Sequence, residues 1–364
     1  LSLLTCAPGE EIYSLFGHTA IRYENSSQGI DVVFNYGLFS FNTPNFIFRF
    51  SLGETDYQLG ATDYERFAAE YAFFGRSVWQ QTLNLTDEEK TELIRLLQEN
   101  YRPENRVYRY NFFYDNCATR PRDKIEESIA GKVIYPAEPQ DGSLTFRDIV
   151  HQYCKGHPWA RFGIDLCIGS EADQPITQRQ MMFAPFYLMD AFDGAQIKGD
   201  SIQRPLITAN ELIVDATPEP DESDWMPTPL QCSLLLFILT AAATIYGIRR
   251  RTGLWGIDLF LFGIAGIVGC VLAFLALFSQ HPAVSSNFLL LVFHPGQLLF
   301  LPYIIYCVRK GKKCWYLTLN LAVLTLFIVL FPVIPQRFDF AVVPLALVLL
   351  IRSASNLIVT SKKK

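Results

Sequence analysis

His18 and Cys117 are the side chains in this sequence best suited to covalent chemistry. A thiol attacks a carbonyl only as its thiolate, so a nucleophilic cysteine needs a nearby imidazole or the positive end of a helix. Cys117 stands where an aromatic, strand-like run over 107–114 gives way to a helical stretch over 122–129. Asp115 or Asn116 can cap that helix, and backbone N–H groups there can form an oxyanion hole. Pro121 constrains the helix, because its ring clashes with the carbonyl four residues back. Either regular helix starts near Thr119, leaving Cys117 in the turn before it, or the helix kinks. Both leave the thiol accessible. A third residue should orient the imidazole, and Asn35 is chosen: it is a polar residue in an otherwise apolar strand, and an amide fixes a tautomer without adding charge. Tyr36 is the alternative, since a one-residue register shift exchanges the two faces. The bland reading of the same residues is a structural cysteine and a hydrogen-bonded core histidine. Pattern alone leaves both open.

The elements that must position these groups can be read coarsely. Segment 12–23 reads as a strand entered through Gly17, and 31–38 alternates in β-branched and aromatic residues. Turn-forming residues at 25–29 join the two as a hairpin, which puts His18 and Asn35 on neighbouring strands. Thr62 with Glu65, and Thr86 with Glu89, have the spacing of helix-starting capping boxes, and Gly75 ends the first of these helices. Short elements follow to about residue 214, with no internal repeat, so the class of this part is α+β.

Half of the 364 residues are apolar, and the excess lies at one end. Residues 1–214 read as a globular domain, 215–229 as an acidic, Pro-rich linker, and 230–364 as an all-α five-helix membrane bundle. Five segments, 231–248, 254–278, 286–307, 314–334 and 340–359, suit a hydrocarbon core that takes roughly 20 apolar residues to cross. Basic clusters at 249–251, 309–313 and 362–364 follow the first, third and fifth, whereas the alternate loops carry only Arg337. The positive-inside rule therefore puts the C-terminus in the cytoplasm and the N-terminal domain outside it. Asp258, Asn320, Arg352 and Asn356 map to the cytoplasmic halves of their helices, where Asp258 and Arg352 can pair. His281 and His294, each followed by Pro, are expected at the outer end with Asn287, where they can help position substrate.

The net charge of −5 sums an acidic first part and a basic tail, and no basic patch is interleaved with aromatics, so nucleic acid is not an expected partner. The eight cysteines form no CxxC pair; Cys154 and Cys167 can form a disulfide in an oxidising compartment. His151 and His157 have no third ligand nearby, so neither a metal nor another cofactor is expected. The chain starts at Leu1 without a basic n-region, and a signal peptide is expected to have been removed or left out.

The segments LTCAPGEEIYSLFGHTAIRY and YNFFYDNCATR resemble the Bacteroides-type lipoprotein N-acyltransferase family called Lnb. More broadly they are similar to circularly permuted papain-like hydrolases, in which the His strand precedes the Cys, as in lecithin:retinol acyltransferase and the NlpC-related phospholipid acyltransferases. Gly17-His18 and Asn116-Cys117 match the two motifs, while the third residue does not align cleanly because the hairpin is longer here. The resemblance covers the outer domain and the five spans. It implies a bacterial inner-membrane enzyme with a papain-like periplasmic domain. Its acyl donor would be a phospholipid, its acceptor a diacylated lipoprotein, and its catalytic residues His18, Asn35 and Cys117. Asn116, Arg120, His281, Asn287 and His294 are the candidate substrate contacts; Arg120 can face a phosphate, although an arginine beside a helix is ordinarily solvated or paired. Three rivals use the same residues: a membrane-anchored peptidase or amidase, a phospholipase, and a non-catalytic lipoprotein-binding protein.

Overall fold

The computed structural model describes residues 1–136, 144–199, 203–216 and 225–361. Most of the expected acidic linker, and Lys362, Lys363 and Lys364, lie outside the described residues. The chain forms two compact units. One comprises Leu1–Tyr153, Pro175–Glu222 and Gln280–Pro282; the other comprises Cys154–Gln174, Ser223–Ser279 and Ala283–Lys364.

In the first unit the strands are β1 (Ser2–Cys6), β2 (His18–Asn25), β3 (Ile30–Leu38), β4 (Asp56–Asp63), β5 (Val78–Leu83), β6 (Val107–Arg109), β7 (Lys132–Ile134), β8 (Gln196–Lys198), β9 (Gln203–Pro205) and β10 (Ile207–Val214). Its helices are α1 (Phe46–Leu52), α2 (Tyr64–Phe73), α3 (Asp87–Tyr101), α4 (Thr119–Ser128) and α5 (Phe146–Tyr153); after α6 (Pro158–Cys167), which belongs to the second unit, come α7 (Gln178–Met181) and α8 (Pro185–Asp193). Among the described residues seven strands form an antiparallel sheet, ordered β10-β5-β1-β2-β3-β4-β6. Alternation along the central strands sorts side chains to two faces. Leu3, Ile21 and Phe34 pack with Leu93 and Leu97 of α3, Ile125 of α4 and Leu188 of α8. Leu4, Ala20 and Val33 pack on the other face with Phe67 of α2.

The expected hairpin is present, closing at Asn25 opposite Ile30. The strand does not reach back to residue 12, however: 12–16 is a turn, and β2 begins at His18. Strand β1, which the sequence reading missed, is what His18 pairs with, opposite Cys6. The capping box forms at Thr86 and Glu89. At Thr62 and Glu65 it does not, because Thr62 is drawn into β4 opposite Val33, and Asp63 takes the N-cap without a side-chain bond.

The second unit contains α9 (Pro229–Arg250), α10 (Trp255–Phe278), α11 (Gly296–Leu299), α12 (Leu301–Lys310), α13 (Trp315–Leu330) and α14 (Val342–Ser361). Of these, α9, α10 and α14 are long and apolar enough to cross a membrane, and α13 is a shorter apolar helix. The expected straight span over 286–307 is instead a pair, Phe288–Leu299 and Leu301–Lys310, bent by 74°. Pro295 and Pro302 account for the break, since neither can donate to the preceding turn. The polar residues expected to join helices do so. Arg352 donates to both Asp258 oxygens at 2.7 and 3.1 Å, and to Thr244. Asn320 donates to Ser353, and Asn356 accepts from the Cys314 N–H. Cys154 and Cys167 are free thiols.

Candidate functional site

Gly17 delivers His18 to the start of β2. Its φ of 78° is left-handed, and a Cβ there would lie 2.5 Å from the Cys6 carbonyl oxygen, so only glycine fits. Two residues further, Ala20 pairs with Asn35 as the last pair of the β2–β3 ladder, and beyond Asn35 the register of β3 against β4 shifts. His18 and Asn35 therefore share the Ala20–Val33 face, and His18 Nε2 lies 3.2 Å from Asn35 Oδ1. With an acceptor facing Nε2, the neutral ring carries its proton there and leaves Nδ1 as an acceptor. Tyr36, the alternative third residue, points to the opposite face and donates to Asn100 Oδ1 at 2.8 Å.

Cys117 is held from the other side by a tight turn. Asn111 Oδ1 accepts from the Phe113 and Tyr114 N–H groups, and the backbone closes between Asn111 and Asp115. Asn116, 3% exposed, accepts from the N–H groups of Ala118 and Thr119 and donates to the carbonyls of Phe112 and Phe183. Its amide is committed to the fold, so it fixes the turn that carries Cys117. Helix α4 starts at Thr119, which places Pro121 in the first turn, where its missing N–H costs nothing. Arg120 is occupied as well. Its guanidinium is bidentate to Asp115 at 2.6 and 2.8 Å and lies 3.5 Å over the Tyr108 ring.

The gap between the open ends of β2 and β3 receives the thiol. A Cβ on Gly37, whose φ is 90°, would stand 3.4 Å from Cys117 Cβ and 3.9 Å from the Tyr108 hydroxyl. The Cys117 sulfur faces the backbone N–H groups of Thr19 and of Cys117 itself, and the Tyr110 hydroxyl. Burial pushes the thiol up to about 11 in spite of these donors. Burial likewise lowers His18 to about 4, with the Asn35 contact opposing and Arg76 adding to the shift. Both groups rest neutral. Among the described residues no hydrogen bond joins imidazole to thiol; the sulfur meets the strand one residue along from the histidine. Cys6, opposite His18 in β1, is fully buried and raised to about 12, which removes it as a competing nucleophile.

The other candidates have separate surroundings. His281 belongs to the first unit, its Nε2 2.6 Å from the Phe50 carbonyl at α1. In the second unit, the buried amide of Asn287 bonds Leu166, Leu289 and Gln336. His294 is not at the outer end as expected. The bent segment brings it against Gly269, midway along α10, and within 3.3 Å of Asn320. Sequence reading missed Tyr110, Gly37 and the Thr19 backbone. A glycine inside a strand pattern was the available signal, since it marks a bulge or a close approach.

A domain of mixed strands and helices that holds the His18–Asn35 contact, on a chain with helices long and apolar enough to cross a membrane, defines a membrane protein with a folded N-terminal domain. Residues 1–151 match the Lnb N-terminal periplasmic domain, and residues 221–364 match the Lnb transmembrane domain. The chain belongs to the Lnb family. It is an inner-membrane protein with a periplasmic N-terminal domain of mixed strands and helices followed by a helical transmembrane region. Membership suggests an acyltransferase acting on lipoproteins. No curated protein and no solved structure matches the chain.

Proposed function

We propose that this protein moves an acyl chain from a phospholipid, through a thioester on Cys117, to the N-terminal amine of a diacylglyceryl-cysteine lipoprotein. The observation that carries this reading is that the Cys117 sulfur faces its own backbone N–H and that of Thr19, the residue that follows an Asn35-oriented His18 on β2. His18 takes the thiol proton as sulfur attacks the ester carbonyl. The Thr19 and Cys117 N–H groups stabilise the oxyanion. The C–S bond forms, the C–O bond breaks, and imidazolium returns the proton to the lysolipid oxygen. In the second half the acceptor amine attacks the thioester. The N–C bond replaces C–S, and the amine proton passes by way of His18 to the sulfur. A permuted papain-like arrangement of the outer domain and five membrane passes, with the C-terminus in the cytoplasm, complete the proposal. Donor and acceptor share one leaflet, so neither chain has to enter water, which costs about 0.8 kcal/mol per CH₂.

The test is intact-mass analysis of the full protein after incubation with phospholipid. The expected result is an acyl adduct that hydroxylamine removes and that Cys117→Ala lacks. No adduct on wild-type protein refutes the thioester. Release of the trapped chain to water but never to an amine acceptor would make the protein a phospholipase.

A further inference from the structure

Helix α1 has five apolar residues among seven, Phe46, Ile47, Phe48, Phe50 and Leu52, and none is buried. Ile47 is 81% exposed, and neighbouring Tyr13 and Phe41 are 61% and 64% exposed. Ring contacts join Tyr13 to Phe41 and Phe41 to Phe46 at centroid distances of 6.2 and 5.1 Å, so this is one continuous apolar surface. The other end of α1 is tied to the chain that follows a membrane-crossing helix. The Gln280 N–H donates to the Leu52 carbonyl at 2.8 Å, and His281 Nε2 bonds the Phe50 carbonyl. Gly53 permits the approach: its φ is 71°, and a Cβ would lie 2.8 Å from the His281 nitrogen. Gln280 is the second residue after α10 ends at Phe278, so these hydrogen bonds tie the end of α1 to the chain two residues from a membrane-crossing helix.

From that surface a row of rings leads inward. Phe50 stacks on Phe46 at 6.0 Å, Phe46 stacks on Phe39 at 5.9 Å, Phe39 meets Tyr57 at 5.0 Å, and Tyr57 stacks on Tyr110 at 4.1 Å. The Tyr110 hydroxyl faces the Cys117 sulfur.

We propose that α1 with Tyr13 and Phe41 seats in the outer leaflet of the inner membrane, and that the ring row from Phe50 to Tyr110 guides a phospholipid acyl chain to Cys117. Continuity with the end of a membrane helix selects the lipid surface as the occupant. The second half rests on the thioester reading; the seating does not.

The test uses the full-length protein in phospholipid nanodiscs with p-benzoylphenylalanine at position 47, and at position 88 on the charged helix α3 as control. Irradiation is expected to give phospholipid adducts at 47 and none at 88. Adducts to protein only, or equal lipid adducts at both positions, overturn the seating. For the ring row, Phe39→Ser and Ile47→Asp are assayed for acyl-enzyme formation from bilayer phospholipid and from monomeric dihexanoyl phosphatidylcholine. The bilayer-to-monomer rate ratio is expected to fall tenfold or more. An unchanged ratio overturns guidance by this surface. If wild-type protein forms no acyl-enzyme, the thioester reading fails, and the photo-adducts still decide the seating.

Discussion

Asn35→Ala isolates the role of the imidazole's partner. In the resting site the His18–Asn35 contact joins two neutral groups at 3.2 Å and is worth about 0.5–1.5 kcal/mol net. In the proposed reaction His18 takes the thiol proton, and the same contact then becomes a hydrogen bond to a cation, worth about 1.5–3 kcal/mol. Asn35 is 6% exposed, so little water can replace it. The charged form gains more than the neutral form, and only the transition state develops that charge. Only the difference, about 1–1.5 kcal/mol, enters the barrier, so at about 1.4 kcal/mol per factor of ten the substitution slows acyl-enzyme formation by roughly 5- to 12-fold. Folding stability falls by only the neutral value, about 1 kcal/mol. Single-turnover acylation followed by intact mass, alongside thermal unfolding, separates the two effects. A loss below threefold would show that Asn35 does not hold the imidazole during proton transfer. A loss equal to that of Cys117→Ala, on a folded protein, would assign it more than orientation.

Four further outcomes follow from the same geometry. With the Cys117 thiol raised to about 11, peptide-resolved alkylation of Cys117 by iodoacetamide should climb steadily from pH 7 to 10; a plateau beginning below pH 7 would reveal a preformed thiolate–imidazolium pair. His18 is lowered from 6.5 to about 4, so the stability it contributes is complete above pH 6.5 and is lost as pH falls toward 4, and His18→Gln should flatten that part of the stability profile. Gly37→Ala should leave a folded protein with acylation reduced at least tenfold, because the new Cβ meets Cys117 in a left-handed backbone that disfavours alanine by about 1–2 kcal/mol; full activity would show that the gap is not the site. Asp258→Ala leaves Arg352 buried without its carboxylate and should destabilise the membrane unit by about 3–5 kcal/mol, while Asp258→Leu with Arg352→Met should recover most of that loss in detergent-unfolding measurements.

The parts of this fold that are legible in the sequence are those fixed by local chemistry. The 25–29 turn sets the hairpin and its register, and so chooses Asn35 over Tyr36 once β2 and β3 are aligned. The Thr86 and Glu89 box and the Asp258–Arg352 pair follow from spacing and from the cost of burying a charge. What escaped depends on distant partners. Strand β1 precedes any turn signal, and Thr62 looks like a cap until β3 claims it for the ladder. The depth of His294 follows from a 74° bend whose direction no local rule sets. Tyr110 carries no signal of its own in an aromatic run, because its place beside the sulfur exists only after β6 has paired with β4.

A neutral resting site suits a reaction that must wait. Nucleophilicity rises with thiol pKa, so in the proposed reaction a sulfur raised to about 11 would attack strongly once His18 removes its proton. The same high pKa makes the sulfur a poor leaving group, and a thioester on it persists until a proton donor assists its departure. In the proposed reaction the donor lipid and the lipoprotein acceptor would diffuse to the site independently, so the intermediate would have to survive the interval. In that reaction, surroundings that raise the thiol pKa by desolvation would also slow attack of water on the thioester, without a separate lid. The acyl-enzyme should accordingly outlive, by at least tenfold in half-life, the same intermediate in a Tyr57→Ser variant, where the ring stacked on Tyr110 beside the sulfur is removed. Equal half-lives would separate the raised pKa from any role in protecting the thioester.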